Sequence, residues 1–222
     1  MVVSAARVAW IFHERHQEAT IPAKQEAPPL NPDYYVTPKR LYPYDFKTAK
    51  QQLMQQPAWV KVGYFYSYYP YDLGTHRADL AHPAGKLLPI QKLEVKDVFQ
   101  QPSPGGERQV MVVFPQDGKH YATAVGNEKD GDYKFYCNDM LFFEDPHVLY
   151  KHWPADVWQA IDQHQVKSGM SELQADFAIG VGLLEGGGDD TDKTLEYPDG
   201  GKPLQVSYHN GKAIKVKPGT NE

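Results

Sequence analysis

Cysteine is almost absent from this sequence, which has 222 residues and a single cysteine, Cys137. A disulfide within the chain is therefore excluded, and the cysteine content does not indicate a redox compartment. The surrounding stretch FYCND contains no motif of a nucleophilic cysteine. We therefore expect Cys137 to be a small buried residue at the end of a strand.

Long basic runs and long apolar runs are also missing. The net formal charge is −5 at pH 7, and no run of Lys or Arg supplies the basic face that would bind nucleic acid. The apolar N-terminal run is interrupted by Arg7 and is shorter than the roughly 20 apolar residues that span a bilayer. Residues 1–20 predict either an apolar helix or the last turns of a membrane anchor whose upstream part is missing. The second alternative implies peripheral or N-terminal membrane association.

Proline and tyrosine are plentiful in the next segment, residues 21–45, which has six prolines. Each proline fixes φ and removes a backbone donor, so the segment is predicted to be extended. Its tyrosines give it apolar surface with which to dock, and we expect a strap rather than a solvated spacer. They are Tyr34, Tyr35, Tyr42 and Tyr44.

Residues 46–150 predict a β-rich domain that follows a short helix capped by Asp45. The stretch AWVKVGYFYSYYPYD alternates as a strand does, with Tyr64, Tyr66 and Tyr68 on its core face. Asp117-Gly118 and Asp130-Gly131 are typical of tight hairpin turns. Four to six short antiparallel strands of this kind indicate a small barrel or a sandwich.

Residues 151–222 change in character and predict an ααβββ domain. Two helices are expected: one that begins at Pro154 and has an apolar face, and one that Ser171 caps and Gly180 ends. Three strands joined by glycine-containing turns follow. The complete prediction is an α+β fold: an extended Pro-rich N-terminal segment, a β-rich barrel or sandwich, and an ααβββ module.

The stretch VKSGMSELQADFAIG resembles a signature of the small-protein-A/OmlA-like family of bacterial envelope lipoproteins. The resemblance covers about residues 153–217 and rests on Gly169, Met170, Ser171 and Gly180. In such a fold glycine supplies a turn, methionine fills the core and serine caps a helix. The resemblance implies an ααβββ fold shared with β-lactamase inhibitor proteins, and a non-catalytic, protein-binding module of the cell envelope.

Two further sites are candidates. Glu144, His147 and His152 gather in FFEDPHVLYKHW, where a strand-to-helix junction could converge them on a metal ion. The other candidate is an aromatic shelf of Phe65, Tyr69 and Tyr71, which could stack on a sugar or a proline-rich peptide. For each set a structural role is the competing interpretation: a turn for the first, and core packing for the second.

No catalytic, nucleotide or cofactor motif is assembled in the sequence, so we expect neither catalysis nor a cofactor. The predicted function is a protein-binding accessory or assembly subunit of a bacterial envelope or membrane-associated complex, with other proteins of that complex as partners. A carbohydrate- or peptidoglycan-binding module using the Tyr-rich strand is the alternative. A metal-dependent enzyme around His147 and His152 is a second one. The expected location is periplasmic or membrane-associated, with a cytoplasmic location as the alternative.

Overall fold

The protein is described here by a computed structural model that covers Trp10, residues 30–189 and residues 191–219. Within this part of the chain there are five α-helices and fourteen strands, so the predicted α+β class is confirmed. Residues 1–35 and residues 36–222 form two compact units. The predicted boundaries after residues 20, 45 and 150 stay predictions.

The helices are all short. Their bounds are α1 Phe46–Leu53, α2 Cys137–Met140, α3 Pro146–Leu149, α4 Ala155–Asp162 and α5 Glu172–Ile179. Asp45 caps α1 as predicted, because its side chain accepts a hydrogen bond from the Thr48 N–H at 2.7 Å. No helix among the described residues is both long and apolar enough to cross a membrane.

The strands form three antiparallel sheets. The three-stranded sheet has the order β10-β1-β5, and the four-stranded sheet the order β11-β12-β13-β14. The seven-stranded sheet has the order β3-β2-β8-β7-β6, with β4 paired to β2 and β9 paired to β8. The bounds are β1 Ala58–Val60, β2 Ser67–Asp72, β3 Arg77–Ala78, β4 Gly85–Lys86, β5 Lys92–Leu93, β6 Asp97–Pro102, β7 Arg108–Gln116, β8 Lys119–Lys129, β9 Asp132–Phe135, β10 Leu141–Phe142, β11 Leu183–Leu184, β12 Lys193–Tyr197, β13 Leu204–His209 and β14 Lys212–Pro218.

The β-rich part is held together by a core that two sheets share. Val60, Leu93 and Leu141 of the three-stranded sheet lie in one buried cluster with Val112 and Phe114 of β7. The predicted hairpins are present, since β7 and β8 join at Asp117-Gly118 and β8 and β9 join at Asp130-Gly131. All four turn residues have positive φ, as such turns require.

The last part of the chain has the predicted order of two helices and three strands, with the short strand β11 added before them. Helices α4 and α5 pack on the four-stranded sheet through a buried cluster that includes Ile161, Phe177, Leu195 and Val206. Inward-facing residues alternate along β12 and β13, so one face of this sheet is covered by helices and the other is polar.

The predicted continuous strand across residues 58–72 is wrong. Strand β1 ends at Val60, residues 61–66 form a turn, and β2 begins only at Ser67. A side chain at Gly63 would meet Pro89, whose Cγ would lie 2.2 Å from the added Cβ, and Tyr64 has a φ of +58°. The alternation of apolar residues is typical of a strand, but the close approach of Gly63 to Pro89, which lies further along the chain, interrupts the strand.

The N-terminal predictions fall largely outside the described residues. Residues 1–20, apart from Trp10, and residues 21–29 lie there, so the helix or anchor at the start stays a prediction. Residues 32–35 form a short 3-10 helix within the segment predicted to be extended, and residues 36–44 have no regular secondary structure. They dock through Leu41, which is buried and exchanges hydrogen bonds of 2.9 and 2.7 Å with the Asn138 side chain, whereas Tyr42 and Tyr44 are exposed. The tyrosines of this stretch therefore do not provide the docking that we expected of them.

Candidate functional site

An apolar groove of about 290 Å³ lies where the turn of residues 61–66 meets the end of α5. Its walls come from three separate parts of the chain. They are Val62, Gly63, Tyr64, Phe65, Ile179, Gly180, Val181, Leu183 and Pro198. We call this site the groove.

The turn that forms one wall is fixed by backbone hydrogen bonds to neighbouring segments. The Tyr64 N–H donates to the Leu87 carbonyl at 2.7 Å, and the Leu87 N–H donates to the Tyr66 carbonyl at 2.9 Å. The Lys61 N–H donates to the Met140 carbonyl at 2.8 Å. The wall is therefore preformed, because the backbone that carries it is paired at both ends.

Glycines let the walls approach each other closely. A Cβ on Gly180 would lie 2.9 Å from the Gly63 carbonyl oxygen, and a Cβ on Gly200 would lie 2.8 Å from the Tyr64 ring. Gly180 also has a φ of +85°, which a residue with a side chain rarely adopts. Because Gly180 has no side chain, the end of helix α5 can lie directly against the turn of residues 61–66.

Large apolar side chains around the groove are exposed to solvent. Phe65 and Leu183 are each 66% exposed, and Val181 is 45% exposed. Single exposed apolar residues are ordinary, but several beside one apolar cavity are typical of a binding surface. The groove is therefore the strongest candidate site in the described part of the chain.

A carboxyl group lies partly buried next to one wall of the groove. Burial raises the pKa of Asp176 to about 7, and the negative charge of Glu172 adds to this effect. Hydrogen bonds from the Gly182 N–H and the Tyr197 hydroxyl and the charge of Lys193 lower that pKa without cancelling the rise. The buried Oδ1 atom of Asp176 has no hydrogen-bond partner among the described residues. This carboxyl is thus held in an environment that favours its neutral form.

The motif residues of the family resemblance shape the entrance to α5. Ser171 and Gln174 form a capping box, in which each side chain bonds the other residue's backbone N–H. Met170 is 2% exposed, and Gly169 has a φ of +89° and donates its N–H to the Ala213 carbonyl at 2.7 Å. These residues therefore have structural roles, and among them Gly180 lines the groove.

The aromatic residues predicted to bind a ligand do not form one shelf. Phe65 lies in the turn and lines the groove, whereas Tyr71 of β2 is 8% exposed and its ring packs 5.0 Å from that of Phe99. Tyr69 packs against the same small cluster as Tyr71. Since a stacking platform needs exposed ring faces, Tyr71 does not supply one in this structure.

His147, predicted as a metal ligand, is held between two carboxylates and an indole ring. Its Nδ1 lies 3.0 Å from Asp145 Oδ1, and its Nε2 lies 3.2 Å from Asp162 Oδ1. The ring stacks on Trp158 with the centroids 4.1 Å apart. His147 therefore joins α3 to α4 through its Nε2, while its Nδ1 contacts the residue that caps its own helix.

Glu144 and His152 have surroundings of their own. Glu144 Oε2 accepts a hydrogen bond from the Lys39 N–H at 2.8 Å, and the ring of His152 lies beside that of Trp153. Among the described residues, no group of three or more His, Cys, Asp or Glu side chains could hold a metal ion. The site predicted from Glu144, His147 and His152 is therefore not assembled here.

Sequence reasoning missed most of the groove. The stretch VGLLEGGGDDTD has the glycines and aspartates that are typical of a flexible acidic loop, yet Val181 and Leu183 in it form one wall. The signal that could have found it is the pair Leu183-Leu184, because two adjacent leucines between glycines are unusual in a solvated loop.

Comparison with protein-family models, curated proteins and solved structures gave no match. The resemblance of residues 153–217 to envelope lipoproteins therefore stays a prediction that rests on its motif residues.

Proposed function

We propose that this protein is a non-catalytic, protein-binding accessory or assembly subunit of a bacterial envelope or membrane-associated complex. The observation that carries the proposal is the groove with its exposed rim of Phe65, Val181 and Leu183. Apolar side chains on a rigid surface gain free energy when a partner covers them, at about 25 cal/mol per Å² of apolar area removed from water. A protein partner is therefore the simplest means of covering this rim.

The groove is suited to binding more than to catalysis. Its lining is apolar, and the lining residues include no Ser, Cys, His, Asp or Glu side chain that could act as a nucleophile or an acid–base group. Its walls are fixed by backbone hydrogen bonds and close glycine contacts. A preformed surface of this kind loses little conformational entropy when a partner binds.

The envelope part of the proposal rests on a different observation. The stretch from Gly169 to Gly180 resembles the signature of small-protein-A/OmlA-like lipoproteins, and it contains the second helix of the predicted ααβββ order. Members of that family are protein-binding modules of the bacterial envelope. This resemblance supports the location, whereas the groove supports the binding.

The proposal is tested by photo-crosslinking in the native host. A photoreactive phenylalanine analogue is placed at Leu183 in the groove, and in a control at Val148 of α3, which is exposed to a similar degree at 67%. We expect the probe at Leu183 to join one envelope protein repeatedly, and the probe at Val148 not to join it. Fractionation of the same cells then shows whether the conjugate lies with the membranes.

Two results would contradict the proposal. Equal labelling of the same proteins from Leu183 and Val148 would mean that the groove does not select a partner. A conjugate that forms only with soluble cytoplasmic proteins would support protein binding and contradict the proposed envelope location. A Leu183→Ser variant without the probe should compete poorly with the labelled protein, and a Val148→Ser variant should compete as well as wild type.

A further inference from the structure

The excess negative charge of this protein lies in one segment of the sequence, which also supplies part of the groove wall. Residues 181–200 contain six acidic residues and one lysine, a net formal charge of −5 that equals the charge of the whole chain. The remaining 202 residues are therefore neutral overall. This segment includes Val181, Leu183 and Pro198 of the groove wall and the two strands β11 and β12.

The register of β11 places carboxylates next to the exposed leucines. Leu183 lies directly opposite Glu196 of β12, so the two side chains point to the same face of the sheet. Glu185, two residues after Leu183, reaches the same face, where its carboxylate accepts a hydrogen bond from Gln205. An occupant of the groove that extends along β11 therefore passes Glu196 and Glu185.

The two edges of the four-stranded sheet differ in a way that favours β11 as the docking edge. Strand β14 carries three exposed lysines and pairs with β13 through a register shift, two devices that keep an edge strand from pairing with another chain. The lysines are Lys212, Lys215 and Lys217. Strand β11 has no lysine and is paired on one side only among the described residues. Both edges carry exposed apolar side chains, Leu183 and Leu184 on β11 and Ile214 and Val216 on β14, so the lysines and the register shift make the difference.

The size of the groove limits what can enter it. About 290 Å³ is at or below the lower end of small-molecule sites, which span about 300–1,000 Å³. A single large apolar side chain from a bound segment is a better match than a drug-sized ligand. An extended segment beside β11 would place such a side chain in the groove and direct alternate side chains to the acidic face.

We propose that the groove receives an extended apolar segment of a partner protein that carries Lys or Arg beside its apolar anchor. The segment pairs with β11, its anchor fills the groove against Phe65, and its cationic side chain lies next to Glu196 and Glu185. This inference rests on the proposed function, since it names the chemistry of the partner for the same surface. It adds that the partner segment is positively charged, which an apolar surface alone does not specify.

The test is a selection of short peptides from a random displayed library on the full-length protein. Peptides that also bind the Leu183→Ser variant are removed. The peptides that remain should still bind a Val148→Ser variant, which is the control because its groove is unchanged. We expect the remaining peptides to combine an apolar centre with Lys or Arg. Their binding should weaken as salt is raised, because exposed charge pairs are screened.

One selected cationic peptide and its Lys-to-Gln counterpart then measure the contribution of the charge. Glu196→Gln should weaken binding of the cationic peptide by about two- to fivefold, as loss of an exposed ion pair does, and should leave the Gln peptide unchanged. Glu94→Gln is the matched control, because that exposed carboxylate pairs with Lys96 and does not line the groove.

The possible outcomes separate this inference from the proposed function. Two outcomes overturn the inference that the partner is cationic and leave the proposed protein binding intact. In the first, the Leu183-dependent peptides are neutral or acidic. In the second, Glu196→Gln weakens the binding of the cationic peptide and of its Gln counterpart equally. A library that yields no Leu183-dependent peptide overturns the proposed function, and the inference with it. Cationic Leu183-dependent peptides that respond to Glu196→Gln alone support both.

Discussion

Replacing Asp176 by asparagine tests how the protein holds a carboxyl group between α5 and β12. The folded protein raises the pKa of this carboxyl from an ordinary value of 3.8 to about 7, chiefly by burying it. Asparagine has the shape of the protonated acid and keeps an oxygen that can accept the hydrogen bonds of Gly182 and Tyr197. The variant therefore removes the ionisation and leaves the packing nearly unchanged.

The direction of the effect follows from the two protonation states. Between pH 4 and pH 7 the folded state keeps a proton that the unfolded state has released, so the Asp176 contribution to the free energy of unfolding falls as pH rises. Three pH units at 1.36 kcal/mol each give an upper limit of about 4 kcal/mol. Partial solvation of the charged form reduces this, and we expect Asp176→Asn to be about 2–4 kcal/mol more stable relative to wild type at pH 8 than at pH 4.

The assay is urea unfolding of both proteins across this pH range, with the difference between them plotted against pH. Taking the difference cancels the other carboxyls, such as Asp72 and Asp189, whose pKa values are lowered by backbone hydrogen bonds and which act in the opposite direction. The control is Asp156→Asn, which removes an exposed carboxyl of α4. If the difference for Asp176→Asn changed with pH no more than the difference for the control, the reasoning would be refuted, since the carboxyl would then ionise in the fold without cost.

Three other predictions concern particular contacts. Ser171→Ala removes half of a capping box and should lower the free energy of unfolding by about 1 kcal/mol in urea, and no change would mean that the cap is not formed in solution. Gly180→Ala should destabilise the protein by more than Gly118→Ala, because both glycines have positive φ but only the Cβ at Gly180 would meet another segment; equal losses would contradict the close approach. Cys137 is buried and its pKa is raised to about 11, so a thiol reagent should label it at neutral pH only after unfolding, and rapid labelling of the folded protein would contradict its burial.

Local rules predicted the parts of the fold that local interactions determine. The cap of α1 by Asp45 and the capping box of Ser171 depend on residues within one helical turn, so the sequence pattern contains the whole interaction. The hairpin at Asp117-Gly118 depends on two adjacent residues that adopt positive φ. These elements could be predicted because no distant residue is needed to form them.

The groove could not be predicted in this way, because each wall depends on a contact between distant segments. Gly63 faces Pro89, Tyr64 bonds Leu87, and Gly180 approaches Gly63 across more than a hundred residues. The alternation from Val60 to Tyr68 satisfies the strand pattern whether or not these contacts exist. Sequence periodicity therefore predicted a strand where the structure has a turn.

The same separation explains why the structure does not bring the predicted metal ligands together. His147 was grouped with Glu144 and His152 because they are close in sequence. Its partners in the structure are Asp145, which is local, and Asp162 on the next helix, whose position follows from the packing of α4. Proximity along the chain is a weak guide to convergence unless a shared helix face or strand end enforces it.

The one non-glycine residue in the groove with a left-handed backbone, Tyr64, links the irregular structure to the proposed function. A positive φ at such a residue costs about 1–2 kcal/mol, so surrounding contacts must hold it. The Tyr64 ring lies against Gly180 and Gly200, two positions where a side chain would displace it. Strained residues that their surroundings hold in place concentrate at functional sites, since a strain with no use is easily lost by mutation. The turn of residues 61–66, which interrupts the predicted strand, also places Phe65 at the groove beside Leu183. The same irregular backbone therefore accounts for the failed strand prediction and for the exposed apolar rim.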